Sequence, residues 1–453
     1  MKEKIGFWSL NPDNRIEALV LVLFFLLLPT QLGKHFWPDF SIVSGIRIDY
    51  LSPIIYVTDI LIVGLLFVSF TRWIKSNSNS TVHHVKLPFK GKKYLFVGLA
   101  FLFFICNGEF SLRPLLSLYG FVKIFEFSFL AIYLAKTIRN YVQVHYIAVL
   151  FAISSIFESL LAIFQYVNQG SLNGIFYYFG ERTFTGDTPG IANASIGGTL
   201  ILRPYATFPH PNVLAGYLLI VTVFVWSFAL KSKKSWIKIL GAVSLFVSSV
   251  ALLLTFSRTA ILLWALLLIF VLGQVVFQKV KTQKKRVTII SFSIICLVIV
   301  SFLPLSHELF VRFGQTSLSD ESVVERTELL SVSWKLVQQH PLVGVGLDNF
   351  IPSVAPLQKP MPLGLYLQPV HNIFVLIATE TGLIGFGLFV WLLAVTLERI
   401  RKQELKMRNL CCVLLVIIFA TGLFDHYWLT LQQGQLLFAT VMGLSWSRFE
   451  KSS

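Results

Sequence analysis

The sequence predicts an all-α fold: a polytopic integral membrane protein of about 12 transmembrane helices, with an outer (periplasmic) loop domain that contains an amphipathic helix. Three observations lead there. The 453 residues are 55% hydrophobic and 13% charged, with a mean hydropathy of +0.73; a soluble domain carries roughly twice that charged fraction. Apolar runs long enough to cross a ~30 Å hydrocarbon layer recur along the chain. Basic residues collect on alternate connections between those runs.

The runs fall near 17–36, 53–70, 93–108, 113–135, 144–168, 212–230, 236–254, 259–278, 287–305, 373–396, 409–424 and 433–447. A bilayer interior offers backbone groups no water, so each run is read as helical. The first starts among charged residues, but no small-x-small cleavage pattern follows it, and it reads as a retained anchor. With the N-terminus placed in the cytoplasm, 27 of the 38 Lys and Arg face the cytoplasm, in segments such as Arg72–Lys93, Lys231–Lys238, Lys279–Arg286 and Arg399–Arg408. Both termini are then cytoplasmic, and the working surface lies on the opposite side. The net charge of +16 is therefore mostly a topology signal. No single basic face or aromatic–basic module marks nucleic-acid binding. Cys106, Cys296, Cys411 and Cys412 sit in or beside apolar runs and form neither a disulfide framework nor a metal site.

Two outer segments, 169–211 and 306–371, are longer than mere connections need to be. They divide the chain into N-terminal helices with the first outer segment (1–211), central helices (212–305), a large outer loop (306–371) and C-terminal helices (372–453). In the large loop, Val323, Arg326, Leu330, Trp334 and Val337 recur at helical spacing before Pro341. The spacing predicts an amphipathic helix over Ser322–His340, lying on the outer leaflet or covering a cavity. No internal repeat is visible.

Arginine is scarce on the outer face, which singles out those that are there. Arg258 lies in Thr255-Phe-Ser-Arg-Thr at the start of a span, where the helix-terminal field disfavours a lone cation and an anionic partner would resolve the conflict. Arg203 lies in Arg203-Pro-Tyr-Ala-Thr-Phe-Pro-His-Pro-Asn212, with Asn212 expected to cap the next helix. Arg326 lies on the amphipathic helix. Guanidinium groups match phosphate with paired hydrogen bonds; they also anchor proteins to lipid headgroups. His371 opens another span, where a neutral imidazole can take a proton from a hydroxyl or serve as a structural hydrogen-bonder. Lys123, Glu126, Glu158 and Glu380 lie within spans, as functional groups or as fasteners between helices, and Lys123 and Glu126 are spaced to pair.

Pro341-Leu-Val-Gly-Val-Gly-Leu-Asp-Asn-Phe350, then His371-Asn372 and Glu380-Thr-Gly-Leu-Ile-Gly385, resembles the signature region of the O-antigen ligase and polymerase superfamily. Arg258 with Leu262 is similar to its Arg-x-x-x-Leu motif, and Arg203 in its Pro-Tyr-Ala-Thr-Phe-Pro setting to a third recurring feature. The resemblance covers roughly residues 200–400. Arg47–Pro53, Gly180-Glu-Arg182 and Asp425-His-Tyr-Trp428 resemble strings in a subset of the family, and no role is carried over from them. The resemblance implies transfer of a glycan from a polyprenyl-diphosphate lipid to a hydroxyl on a glycan, lipid or protein acceptor, at the outer face of the cytoplasmic (inner) membrane, with inversion and without metal, cofactor or nucleotide sugar. It implies that His371 deprotonates or orients the acceptor hydroxyl. Arg203 and Arg258 would hold the diphosphate, and the cavity would open sideways to lipid. Arg326, Arg182, Asn372, Glu380 and His210 complete the candidate set as substrate-binding residues.

A ligase and a polymerase share this superfamily, and the histidine motif favours the ligase. A polysaccharide transporter or flippase would show matching halves with broken helices. The outer segments here are unevenly placed, which favours glycosyl transfer.

Overall fold

In the computed structural model, residues 10–11, 14–78, 92–196, 198–277, 306, 321–357 and 367–449 are described. The run near 287–305 lies outside the described residues. The helices are α1 (Arg15–Leu27), α2 (Val57–Ser78), α3 (Lys92–Glu109), α4 (Pro114–Thr137), α5 (Tyr141–Asn168), α6 (Pro211–Phe224), α7 (Ser235–Leu254), α8 (Arg258–Phe277), α9 (Glu321–Gln339), α10 (Phe350–Val354), α11 (Ile373–Arg401), α12 (Leu405–Gly422), α13 (Tyr427–Thr430) and α14 (Gln432–Trp446). Seven helices among the described residues are long and apolar enough to cross a membrane.

Local chemistry sets the helix ends. Asn14 accepts from the N–H groups of Ile16 and Glu17 to start α1, and Asn140 and Gln143 form a reciprocal capping box at α5. Helix α1 stops at Leu27, well short of the expected 17–36; Leu28 keeps helical dihedrals, but Pro29 has no N–H with which to continue the ladder. At α6 the cap is His210, whose Nδ1 accepts from Asn212 N–H at 3.1 Å. Asn212 is not the cap: Pro211 takes the first helical position, where its missing N–H costs nothing.

The chain is mostly helical, as expected, and the connections between helices add three short antiparallel ribbons. Strand β1 (Gly33–His35) pairs with β4 (Ile54–Tyr56), β2 (Ile42–Val43) with β3 (Ile46–Arg47), and β5 (Asn193–Ile196) with β6 (Thr199–Leu202). Between β2 and β3, Ser44 and Gly45 both have positive φ, at 51° and 80°. That is the tight turn whose twist suits a hairpin.

The main core joins α1, α4, α5, α6, α7, α12 and α14, and α6 is buried almost all round. A smaller core gathers residues of the long connections, and there α9 buries Leu329, Val332 and Leu336. The helix exists as predicted, but its buried stripe does not include Leu330 and Trp334, which are 41% and 64% exposed. Apolar residues occupy both faces of α9, so spacing alone did not choose between them.

Helix α11 breaks at Gly382 (φ 62°, ψ −170°), and the loop Pro341–Asn349 fills the break. Leu383 and Ile384 N–H donate to Pro341 and Leu342, while Val345 and Gly346 N–H donate to Thr379 and Glu380 carbonyls. Asn107 on α3 donates to Val343 and Glu380 carbonyls at 2.8 and 2.9 Å and accepts from Leu347 N–H at 2.9 Å. The loop thus replaces hydrogen bonds that the interrupted helix cannot make.

Intramembrane charges fasten helices. Lys123 on α4 meets Asp59 of α2 at 3.0 Å and Glu126 at 2.7 Å, and Gln432 of α14 donates to the same Asp59. Glu158 on α5 accepts from the Thr207 hydroxyl at 3.0 Å. At the opposite end of the bundle, Glu17 pairs with Arg72 and accepts from Tyr133 at 2.5 Å.

Candidate functional site

The N-terminal ends of α6, α8, α11 and α13 meet in a polar network. Arg203, just past β6, is buried. Its Nε donates to the Thr255 carbonyl and an Nη to Asn212 Oδ1, both at 2.6 Å. Asn212 Nδ2 donates onward to Asp425 Oδ2 at 2.7 Å, and His426 N–H donates to the other carboxylate oxygen at 2.8 Å. The Thr255–Ser257 turn, with Phe256 at φ 49°, sets Arg258 at the first turn of α8. Arg203, Arg258, Arg326, Asn212 and Asp425 line one recess of about 70 Å³. Two arginines of the recess come from helix starts or loops and the third from α9, so its positive character depends on tertiary assembly.

His371 stands beside this recess, one residue before the Asn372 cap of α11. Its ring meets that of His426 edge to face at 5.0 Å, and His426 in turn meets Tyr50 at 5.3 Å. His426 Nδ1 is bonded to the Thr430 hydroxyl at 2.6 Å. The Nδ1 of His371 is buried with no hydrogen-bond partner among the described residues.

The electrostatics follow from burial around one carboxylate. Burial lowers the His371 pKa, with Asp425 pulling it back up and Arg326 pushing it further down. Burial, reinforced by His371, takes His426 to about 3; burial, reinforced by Arg203, takes His210 to about 3. Burial opposes charge on Asp425, but His426, His371, His210 and the Asn212 amide outweigh it and hold the carboxyl at about 2. Asp425 is therefore anionic at neutral pH, and His371 is neutral and able to accept a proton.

Beside the recess runs a cavity of about 2430 Å³. Arg182, Asp49, Tyr50 and His210 line the end nearer the recess, and its walls follow α4, α11 and α14 across the bundle. Its lining is mostly apolar between those ends.

The predicted residues divide accordingly. Arg203, Arg258, Arg326 and His371 come together. His210 caps α6 at the boundary between recess and cavity. Arg182 lies at the cavity mouth. Asn372 accepts from Phe374 and Val375 N–H and donates to the Leu423 carbonyl at 3.1 Å, so its amide is engaged in capping α11. Glu380 stands apart, accepting from Phe350 N–H at 3.3 Å beside the signature loop. Sequence reasoning did not assign Asp425, His426 or the bridging role of Asn212. The available signal was a carboxylate and an imidazole in the short connection before α14.

Residues 242–390 match the family model described as O-antigen ligase. The match supports membership of the O-antigen ligase superfamily. It includes Arg258, Arg326 and His371; Arg203 and Asp425 fall outside it. No curated protein matches the chain.

Proposed function

We propose that this chain, which carries an O-antigen ligase domain over residues 242–390, transfers a glycan from a polyprenyl-diphosphate lipid to a hydroxyl acceptor at the outer ends of its helices. The observation that carries the reading is the convergence of three guanidinium groups on one recess, with a neutral imidazole and a buried carboxylate at its edge.

In this reading the acceptor oxygen attacks the anomeric carbon as its proton passes to His371. The bond from that carbon to the phosphate oxygen breaks, and the diphosphate leaves with the electron pair. A single displacement inverts the anomeric centre. Arg203, Arg258 and Arg326 meet the charge that develops on the leaving oxygen. Asp425 offsets the imidazolium that His371 becomes. The isoprenoid tail lies along the apolar walls of the large cavity, on α4, α11 and α14.

The test is transfer by the purified protein from a lipid-linked glycan, with the product resolved by size. Transfer of one block to an acceptor supports a ligase, and a ladder of lengthening chains supports a polymerase. No transfer at all from polyprenyl-diphosphate donors would overturn the reading.

A further inference from the structure

The far end of the large cavity has a charge pattern that glycan transfer does not use. Helices α4, α11 and α14 all begin near the arginine–histidine site and run away from it; α4, with 24 residues, rises about 36 Å. Where they end, Lys136, Arg139, Arg399, Lys402 and Arg448 line the same cavity. Among the described residues, Glu398 is the one acidic side chain lining it there, and it is paired with Lys402 at 2.5 Å.

Three helix C-termini at one place leave carbonyls that cations could cap. Here neutral amides and a single guanidinium Nε do that work. Gln143 donates to the Thr137 carbonyl at 2.9 Å and Arg139 Nε to Lys136 at 2.7 Å. Gln403 donates to the Leu444, Ser445 and Ser447 carbonyls at 3.0, 3.0 and 3.3 Å. Arg399 lies over the Trp446 ring at 5.2 Å, and Trp446 is itself held by Thr396 at 3.0 Å. Lys136, Arg139, Arg399 and Arg448 thus surround an apolar slot with no acidic partner among the described residues lining it.

We propose that this end of the cavity binds an anionic phospholipid, its headgroup among Lys136, Arg139, Arg399 and Arg448 and its acyl chains in the apolar slot. Basic pockets between membrane helices attract anionic headgroups from the leaflet on that side. The charge complementarity is to a phosphate ester that enters from the leaflet opposite the arginine recess. This seat does not depend on what is transferred at the other end.

The experiment is native mass spectrometry of the full chain, released from nanodiscs containing equal phosphatidylglycerol and phosphatidylcholine. Retention of phosphatidylglycerol in preference to phosphatidylcholine is expected. Arg448→Gln and Lys136→Gln, both at exposed positions, should each reduce that preference about fivefold, whereas Arg448→Lys should keep it. Equal retention of the two lipids, an unchanged preference in both Gln variants, or a retained mass matching an isoprenoid carrier instead of a phospholipid would overturn the proposal. Glycan transfer measured on the same preparations reports separately on the outer site.

Discussion

The rings of His371 and His426 meet edge to face with centroids 5.0 Å apart, although 54 positions separate them in the chain. The contact brings the start of α11 against the connection between α12 and α14. It also places His371 within the field of Asp425, the residue next to His426. The proposed base is thus seated by a segment that lies beyond the matched family region.

Replacing His371 by Ala should lower glycan transfer by about 10²–10⁴-fold, the usual contribution of a positioned general base. Its Nδ1 makes no hydrogen bond among the described residues, so the variant should insert and fold normally. Transfer assays on membranes matched for protein content check this, and wild-type turnover would remove the base role.

Burial lowers the His371 pKa from its ordinary 6.5, so the neutral base should persist on the acid side of that value. The acid limb of kcat against pH should therefore fall below pH 6.5. Asp425 raises the His371 pKa, so Asp425→Asn should move that limb to still lower pH. It should also slow transfer, because the imidazolium loses its counter-charge. A pH profile of Asp425→Asn that overlays the wild type would separate Asp425 from the chemistry.

Arg258→Lys keeps the charge at the start of α8 and loses the planar fork that engages two phosphate oxygens. If Arg258 holds the diphosphate, kcat/KM should fall about ten- to a hundredfold, the worth of one charge-assisted hydrogen bond. Unchanged kcat/KM would mean that position 258 needs only a positive charge.

The helices were legible because a membrane-length apolar run is a local property, visible wherever it occurs. The recess was legible only in its parts. Arg203, Arg258 and Arg326 each stand out by sign and position, but their meeting with Asp425 depends on four separate segments closing together. The ribbons at 33–56 and 193–202 have strands of two to four residues, too short for alternation to register. On α9 the pattern offered two apolar stripes, Leu329–Val332–Leu336 and Leu330–Trp334. Burial of the first stripe in the smaller core decided between them.

Gly382 offers a test of the signature loop that does not depend on catalysis. Its φ of 62° lies in the region that side chains disfavour, at a cost of about 1–3 kcal/mol. A Cβ there would also run into the Leu342 carbonyl and the Val343 nitrogen. The loop cannot retreat without giving up the bonds from Leu383 to Pro341 and from Asn107 to Val343. Gly382→Ala should therefore lower the melting temperature in detergent and the yield of folded protein. Gly387→Ala on the same helix meets nothing within 4 Å and should melt like the wild type. Equal melting of the two variants would show that the break in α11 is not held by the loop threaded through it.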